Sequence, residues 1–305
     1  MSRGGRVPRI ERVMEIPEEL VVSQSRYNGA AGREFIAALP ERATGFLDRW
    51  GLKVTGPARC GMAALVLPVE RTDGTSAALK MQLLDEESEG EPVALRVWGG
   101  DGVVRLLDHD AETNTLLLER LDENRHLSTL DDSREATRIL AGLLARLSAV
   151  PAPAGLRQLG DIAWEMLDTV PEAVRKVADP AERALLKSCA AAVREVVDEP
   201  GDRLLHWDLH YDNILAAERE PWLAIDPKPL AGDPGFELMP ALDNNFQPSE
   251  VRYRFDLLTE ALGLDRQRAV AWTLGRALQN LLWNIEDGED ELDQVQIGIA
   301  RLLLG

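Results

Sequence analysis

Between Leu204 and Asp226 the chain reads L-L-H-W-D-L-H-Y-D-N-I-L and, after a short interval, W-L-A-I-D-P. His206, Asp208 and Asn213 stand in the spacing H-x-D-x-x-x-x-N, and the apolar run that follows ends in Asp226. Phosphoryl transfer from ATP to a hydroxyl needs this set of parts. One carboxylate orients and deprotonates the alcohol, while an amide oxygen and a second carboxylate hold Mg²⁺. A polar loop between two strands could also hold acids, but type, order and spacing together fit the phosphotransfer template.

Such chemistry also needs a cation for the nucleotide phosphates. The segment Ala77-Ala78-Leu79-Lys80 ends a strand-like run after the turn Thr72-Asp73-Gly74-Thr75. The chain has 29 arginines and only five lysines, so a lysine kept inside an apolar segment stands out. Alone, Lys80 could be an edge-strand lysine reaching for water. A helix carrying a glutamate toward it is expected over Leu84 to Trp98, which opens with Asp85, Glu86, Glu87, Glu89 and Glu91. Acids in a first helical turn are ordinary. Glu91, directly before the apolar face, is the expected ion-pair partner of Lys80, and Glu87 is the rival.

Lys80, Glu91, L-L-L-E-R-L-D at 116–122, H-W-D-L-H-Y-D-N at 206–213 and I-D-P-K at 225–228 follow in an order that resembles the aminoglycoside phosphotransferases. A-L-R-V-W-G-G-D-G-V-V-R-L-L at 94–107 and A-L-Q-N-L-L-W-N-I-E-D-G at 277–288 are similar to the streptomycin 6-kinase and hydroxyurea kinase branch. The resemblance covers roughly residues 30–303. It implies an α+β, protein-kinase-like fold of two lobes: a small antiparallel sheet with one main helix, and a larger, mostly helical lobe. ATP and Mg²⁺ would be the cofactors. Asp208, Asn213 and Asp226 would be catalytic, the last two holding the metal. Lys80, Glu91, Gly61, Glu119, Leu121 and Asp226 would face the nucleotide, with the 119–122 linker backbone against adenine.

Three departures stand out. Trp207 replaces the glycine of the family's usual H-G-D, which should alter the floor beneath the catalytic loop. Asp226-Pro227-Lys228 replaces Asp-Phe-Gly, so there is no phenylalanine switch, and Lys228 would screen Asp226 or touch the γ-phosphate. G-x-G-x-x-G is absent, and only the segment Gly56 to Ala63 occupies the place of the phosphate loop. Backbone amides of a turn could still cap phosphates there. His206 is expected to brace the loop through backbone hydrogen bonds.

The 305 residues, 45% of them hydrophobic, suffice for two apposed lobes, expected at 1–121 and 122–305. Within the first, residues 1–30 are expected as an extension and about 33–50 as a helix that Pro40 breaks or restarts. No apolar stretch approaches the ~20 residues that span a membrane. The start M-S-R-G-G-R-V-P-R-I-E-R has charge but no apolar core, so no secretory signal is read there. Two distant cysteines, Cys60 and Cys189, suit reduced thiols and a cytoplasmic location. A zinc site is not expected from His206 and His210, which lack cysteine partners.

The net charge is −18, with 15 basic and 19 acidic residues up to 121 and 19 against 33 beyond. That sign argues against nucleic-acid or anionic-membrane binding. It suits a small cationic acceptor, although solubility alone could account for most surface acids; a monomer or weak dimer is expected. Acceptor candidates are Asp208, Asp233, Glu237, Asn244, Trp283 and Asp287, with the run Glu286 to Glu291 as a further attraction. Trp283 could equally be core beside Leu278, Leu281 and Leu282. A streptomycin-like antibiotic is the leading acceptor. Hydroxyurea, a peptide antibiotic or a metabolite are alternatives, as is a catalytically silent nucleotide-binding regulator.

Strands are expected at 65–70, 76–82, 103–107 and 115–118 in a five-stranded antiparallel lobe. Helices are expected at 132–149, 156–177, 181–197, 251–262, 266–285 and 291–304, with short strands at 214–216 and 222–225 around the catalytic loop.

Overall fold

The computed structural model describes residues 14–289 and 291–305. The basic start of the chain and Asp290 of the acidic run lie outside them. The chain divides into two compact units. The first runs through Arg96 and takes in Val104–Arg120, and the second comprises Val97–Val103 and Leu121–Gly305.

The first unit opens with α1 (Glu18–Tyr27) and α2 (Gly29–Arg49). The sheet strands β1 (Lys53–Val54), β2 (Arg59–Cys60), β3 (Ala64–Glu70) and β4 (Ser76–Gln82) follow, then α3 (Glu91–Trp98), β5 (Leu106–Asp110) and β6 (Thr115–Glu119). All pairings are antiparallel, in the order β1-β3-β4-β6-β5 with β2 also on β3. Six strands stand where five were expected because the edge strand is split: β1 and β2 both pair with β3, on either side of Pro57, which has no N–H to donate.

Four further expectations are corrected in this unit. Residues 14–30 are not merely an extension: they include α1, whose Leu20 is buried in the same core as Phe35, Leu39, Leu65, Leu67 and Leu79. Pro40 does not break α2. Its missing donor costs a hydrogen bond, but the stripe Phe35, Leu39, Ala43 and Phe46 packs on the core and holds the helix continuous. The helix expected from Leu84 begins only at Glu91. Asp85 Oδ1 accepts the N–H groups of Glu87 and Ser88, and Ser88 Oγ accepts that of Asp85, so local turns outcompete the helix. The strand expected at 103–107 lies at β5, while Val103 bridges Ala224 in the second unit.

The second unit contains β7 (Asp122–His126), α4 (Ser133–Leu147), β8 (Arg157–Gln158), α5 (Leu159–Lys176) and α6 (Pro180–Arg194). After β9 (Arg203–Leu205), β10 (Ile214–Ala216), β11 (Trp222–Ala224) and β12 (Leu230–Gly232) come α7 (Met239–Asp243), α8 (Val251–Leu262), α9 (Arg266–Glu286) and α10 (Gln294–Leu304). Aspartates at 132, 179, 265 and 293 cap α4, α6, α9 and α10 by accepting first-turn N–H groups. The middle of α9 is buried on most sides, with Trp272, Leu274, Ala277, Leu278 and Leu281 inside. Two small sheets, β11-β10-β7 and β8-β12-β9, hold the segment from His206 to Lys228, with β10 and β11 lying within it. Among the described residues no helix is long and apolar enough to cross a membrane.

Candidate active site

In the first unit, β4 and α3 face their charges at each other. Lys80 Nζ lies 2.7 Å from both carboxylate oxygens of Glu91, and both residues are nearly sealed from solvent. Gln82 Nε2 donates to Glu91 Oε2 at 2.7 Å, so the pair has a third polar member. The alternation of β4 turns Lys80 and Gln82 to the same face, which is why one glutamate meets both. Gly61 lies in the turn between β2 and β3, where its N–H donates to Ala64 O at 3.2 Å. Glu119 is engaged locally: its Oε1 accepts the Arg105 N–H at 2.8 Å.

In the second unit, the loop after β9 is organised around His206. Its Nε2 is 2.9 Å from Ile225 O, its Nδ1 is 3.4 Å from Asp208 N, and its own carbonyl accepts the Lys228 N–H at 3.0 Å. This set fits a neutral ring with the proton on Nε2. Burial depresses the imidazole to about 4 against the pull of Asp208. His206 thus ties the segment carrying Asp208 to the segment carrying Asp226.

Asn213 is placed by the hairpin that follows. Ile214 pairs with Ala224, and Ile225 N–H donates to Asn213 O at 2.9 Å, which sets Asn213 beside the start of the Asp226 turn. The Asn213 side-chain nitrogen donates to Asp208 O at 2.9 Å, which fixes the orientation of its amide oxygen. The structure sets the Lys228 ammonium 3.3 Å from Asp208 Oδ2. Asp208, Asn213 and Asp226 therefore come together in one loop cluster. One amide oxygen and one carboxylate, completed by phosphate oxygens and water, form a donor set that suits Mg²⁺. Among the described residues no group of three or more His, Cys, Asp or Glu could hold a metal ion by itself.

Trp207 and Asp226 both adopt positive φ, 67° and 57°. A left-handed residue with a Cβ costs about 1–2 kcal/mol, a cost that glycine at this position would not carry. Here the conformation is held from both sides. The indole is buried, with the Arg157 guanidinium 4.3 Å and the Arg276 guanidinium 4.9 Å from its ring centre, and Trp283 stands 6.2 Å away. The Trp207 N–H donates to the carboxylate of Glu237.

Several acceptor candidates prove to be engaged elsewhere. Glu237 is buried under the catalytic loop and braces its backbone. Burial raises its carboxyl to about 8 against the N–H groups of Trp207 and His206, which favour the charged form. Asp233 caps the turn at 234–237 and pairs with Arg268. Asn244 accepts the Tyr211 N–H, holding the far end of the loop. An acid near a metal loop reads as a substrate ligand in sequence, but buried N–H groups needed these acceptors first. Trp283 remains 39% exposed, so it is not simply core, and Asp287 is exposed at the end of α9. Sequence reasoning missed Arg157 and Arg276. For Arg276 a signal existed: it is a charge set in the apolar run Leu274, Ala277, Leu278 and Leu281 of α9.

The profile of the aminoglycoside/hydroxyurea antibiotic resistance kinases matches residues 49–288. The chain is 64% identical over 299 residues to a hydroxyurea phosphotransferase of Kitasatospora aureofaciens, covering 97% of this chain and 88% of that one. It is 58% identical to a streptomycin 6-kinase of Streptomyces glaucescens, covering 96% and 98%. A solved aminoglycoside phosphotransferase bound to ADP and hygromycin B aligns with TM-score 0.59 at 15% identity, over 86% of this chain and 97% of that one. The chain belongs to the aminoglycoside/hydroxyurea antibiotic resistance kinase family and has the protein-kinase-like fold of those phosphotransferases. It is a phosphotransferase, which sets aside the silent-regulator alternative.

Proposed function

We propose that this protein transfers the γ-phosphate of ATP to a hydroxyl of a streptomycin-like aminoglycoside, inactivating it. The observation that carries the reading is the cluster of Asp208, Asn213 and Asp226 around His206 in a chain 58% identical to a streptomycin 6-kinase. Asp208 orients the acceptor hydroxyl and takes its proton, with the Lys228 ammonium as counter-charge. Lys80, steadied by Glu91, engages the α- and β-phosphates, and Asn213 and Asp226 would hold Mg²⁺. Bound there, the metal supplies neutralisation of charge on the β- and γ-phosphate oxygens. In a loose transition state most acceleration comes from this positioning and electrostatics. The turn Gly61 to Ala63 presents backbone amides to the phosphates in place of a glycine-rich loop. Trp283 and the exposed acids Glu286 and Asp287 suit a cationic acceptor.

A second reading, hydroxyurea as acceptor, is favoured by the 64% identity to a hydroxyurea phosphotransferase. Purified protein incubated with ATP, Mg²⁺ and either compound should convert streptomycin to a product heavier by one phosphate. Phosphorylated hydroxyurea with untouched streptomycin would select the second reading, and failure with both would overturn the proposal.

A further inference from the structure

The turn between β2 and β3 lacks the glycine geometry that phosphate loops commonly use. Gly61 is not among the positive-φ residues, and a Cβ built on it would meet nothing within 4 Å. Only two residues of β2 pair with β3, so the hairpin itself fixes the turn weakly. A different element holds it. Ser23 Oγ in α1 donates to Met62 O at 2.7 Å, and Gln24 Nε2 donates to Ala63 O at 3.2 Å. Two consecutive carbonyls of the turn are thus drawn onto one helix.

In a trans peptide the C=O and N–H of one plane point in opposite directions. Tying the carbonyls of Met62 and Ala63 to α1 therefore turns the N–H groups of Ala63 and Ala64 to the other side. Adjacent amides presented in this way form the kind of concavity that caps an anion.

The holding residues are themselves fixed. Gln24 is buried at 1% exposure, and its Oε1 accepts from Asn28 Nδ2 at 3.1 Å. Leu20, one turn earlier, is fully buried in the core. Gly32 of α2 lies so close that a Cβ there would sit 2.1 Å from Gln24 O, which makes the approach of α1 to α2 possible only with glycine.

We infer that α1 is a strap that sets the phosphate turn, with Ser23 and Gln24 as positioning residues for the nucleotide phosphates. The inference rests on reading Gly61 to Ala63 as the phosphate turn. It explains how a loop without G-x-G-x-x-G can be pre-shaped: side chains from outside the hairpin supply the order that glycine-specific turns supply elsewhere.

The test compares ATP with adenosine, which lacks the phosphates. The double variant Ser23→Ala/Gln24→Leu should raise KM for ATP about tenfold, the order expected when two hydrogen bonds that order a binding loop are lost. Adenosine affinity and the acceptor KM should hold, and Ser23→Thr, which keeps the hydroxyl, should stay near wild type. Adenosine affinity falling in parallel with ATP would mean a merely structural role for α1 and would overturn the inference. Met62 is 70% exposed and borders Val22, Ser23 and Tyr27 of α1 in an open cleft, so its replacement changes the charge of the turn with little loss of buried packing. Met62→Glu should raise KM for ATP and Met62→Lys lower it. If both leave ATP untouched, the phosphate-turn reading fails. If they act while the α1 variant does not, that reading stands and the strap alone is wrong.

Discussion

Lys80 and Glu91 lie on a strand and a helix with regular backbone, whereas Asp208 and Asp226 lie in a loop where left-handed residues set the directions of the side chains. In the first unit, charge is placed by secondary structure and secured by pairing out of water. In the second, charge is placed by irregular backbone, which needs braces: His206 to Ile225, Glu237 to Trp207, Asn244 to Tyr211. The contrast suggests a division of labour. Lys80 is nearly sealed from solvent, whereas Asp208 keeps 23% of its side chain exposed.

The sharpest way to break this comparison is to remove the reachable carboxylate. Asp208→Ala should lower kcat by about 10²–10⁴-fold, the usual contribution of a positioned base, with ATP affinity and thermal stability nearly intact. A residual kcat above about a tenth of wild type would dethrone Asp208. Glu91→Ala should cost stability first and, because Glu91 steadies Lys80, weaken ATP binding as well. It leaves the Lys80 ammonium buried without its carboxylate, a loss of about 3–5 kcal/mol. Chemical denaturation should show this directly, and a loss below about 1 kcal/mol would mean that the pair behaves like a surface bridge.

Trp207 separates backbone strain from packing. Both Trp207→Ala and Trp207→Gly lose the stacked indole, at about 3–5 kcal/mol. Glycine alone sheds the cost of the left-handed Cβ. It should therefore be at least as stable as alanine, although at an ordinary position glycine is worse by about 0.4–1 kcal/mol. The usual order, seen by thermal melting, would refute the strain.

A further effect is a pH slope. The Glu237 carboxyl is raised to about 8 in the folded chain, so the folded state holds a proton that the unfolded chain releases near the ordinary carboxylate range. Its contribution is complete below the unfolded value and is lost as pH rises toward 8. His206, lowered to about 4, acts oppositely: its contribution is present above its unfolded value near 6.5 and is lost as pH falls toward 4. Glu237→Gln keeps an acceptor for the Trp207 N–H and should flatten the loss of stability between the ordinary carboxylate range and about 8, leaving the His206 loss toward pH 4 in place. An unaltered alkaline slope would assign it to other groups.

How far all this was legible in the sequence follows from the same contrast. The strand 76–82, the helix 251–262 and the strand 214–216 appear at the expected residues because periodicity and turn residues agree there. The protein-kinase-like fold was legible from motif order. What was not legible depended on tertiary packing. Pro40 is tolerated because the buried stripe of α2 outweighs one lost hydrogen bond. Glu237 and Asn244 read as substrate groups because nothing local reveals which N–H a distant acceptor must satisfy. The conformation of Trp207 could be inferred from the glycine it replaces, but the guanidinium groups that hold it come from positions 50 and 69 residues away.

The scarcity of lysine has a practical consequence. Of the five primary amines on side chains, Lys53, Lys176 and Lys187 are exposed, Lys80 is sealed against Glu91, and Lys228 is partly covered beside Asp208. An acylating reagent followed by peptide mass spectrometry would then sort the chain into three reactivity classes. The slowest class would report the integrity of the first unit and the middle one that of the catalytic loop, giving each half of the enzyme its own chemical reporter without a single mutation.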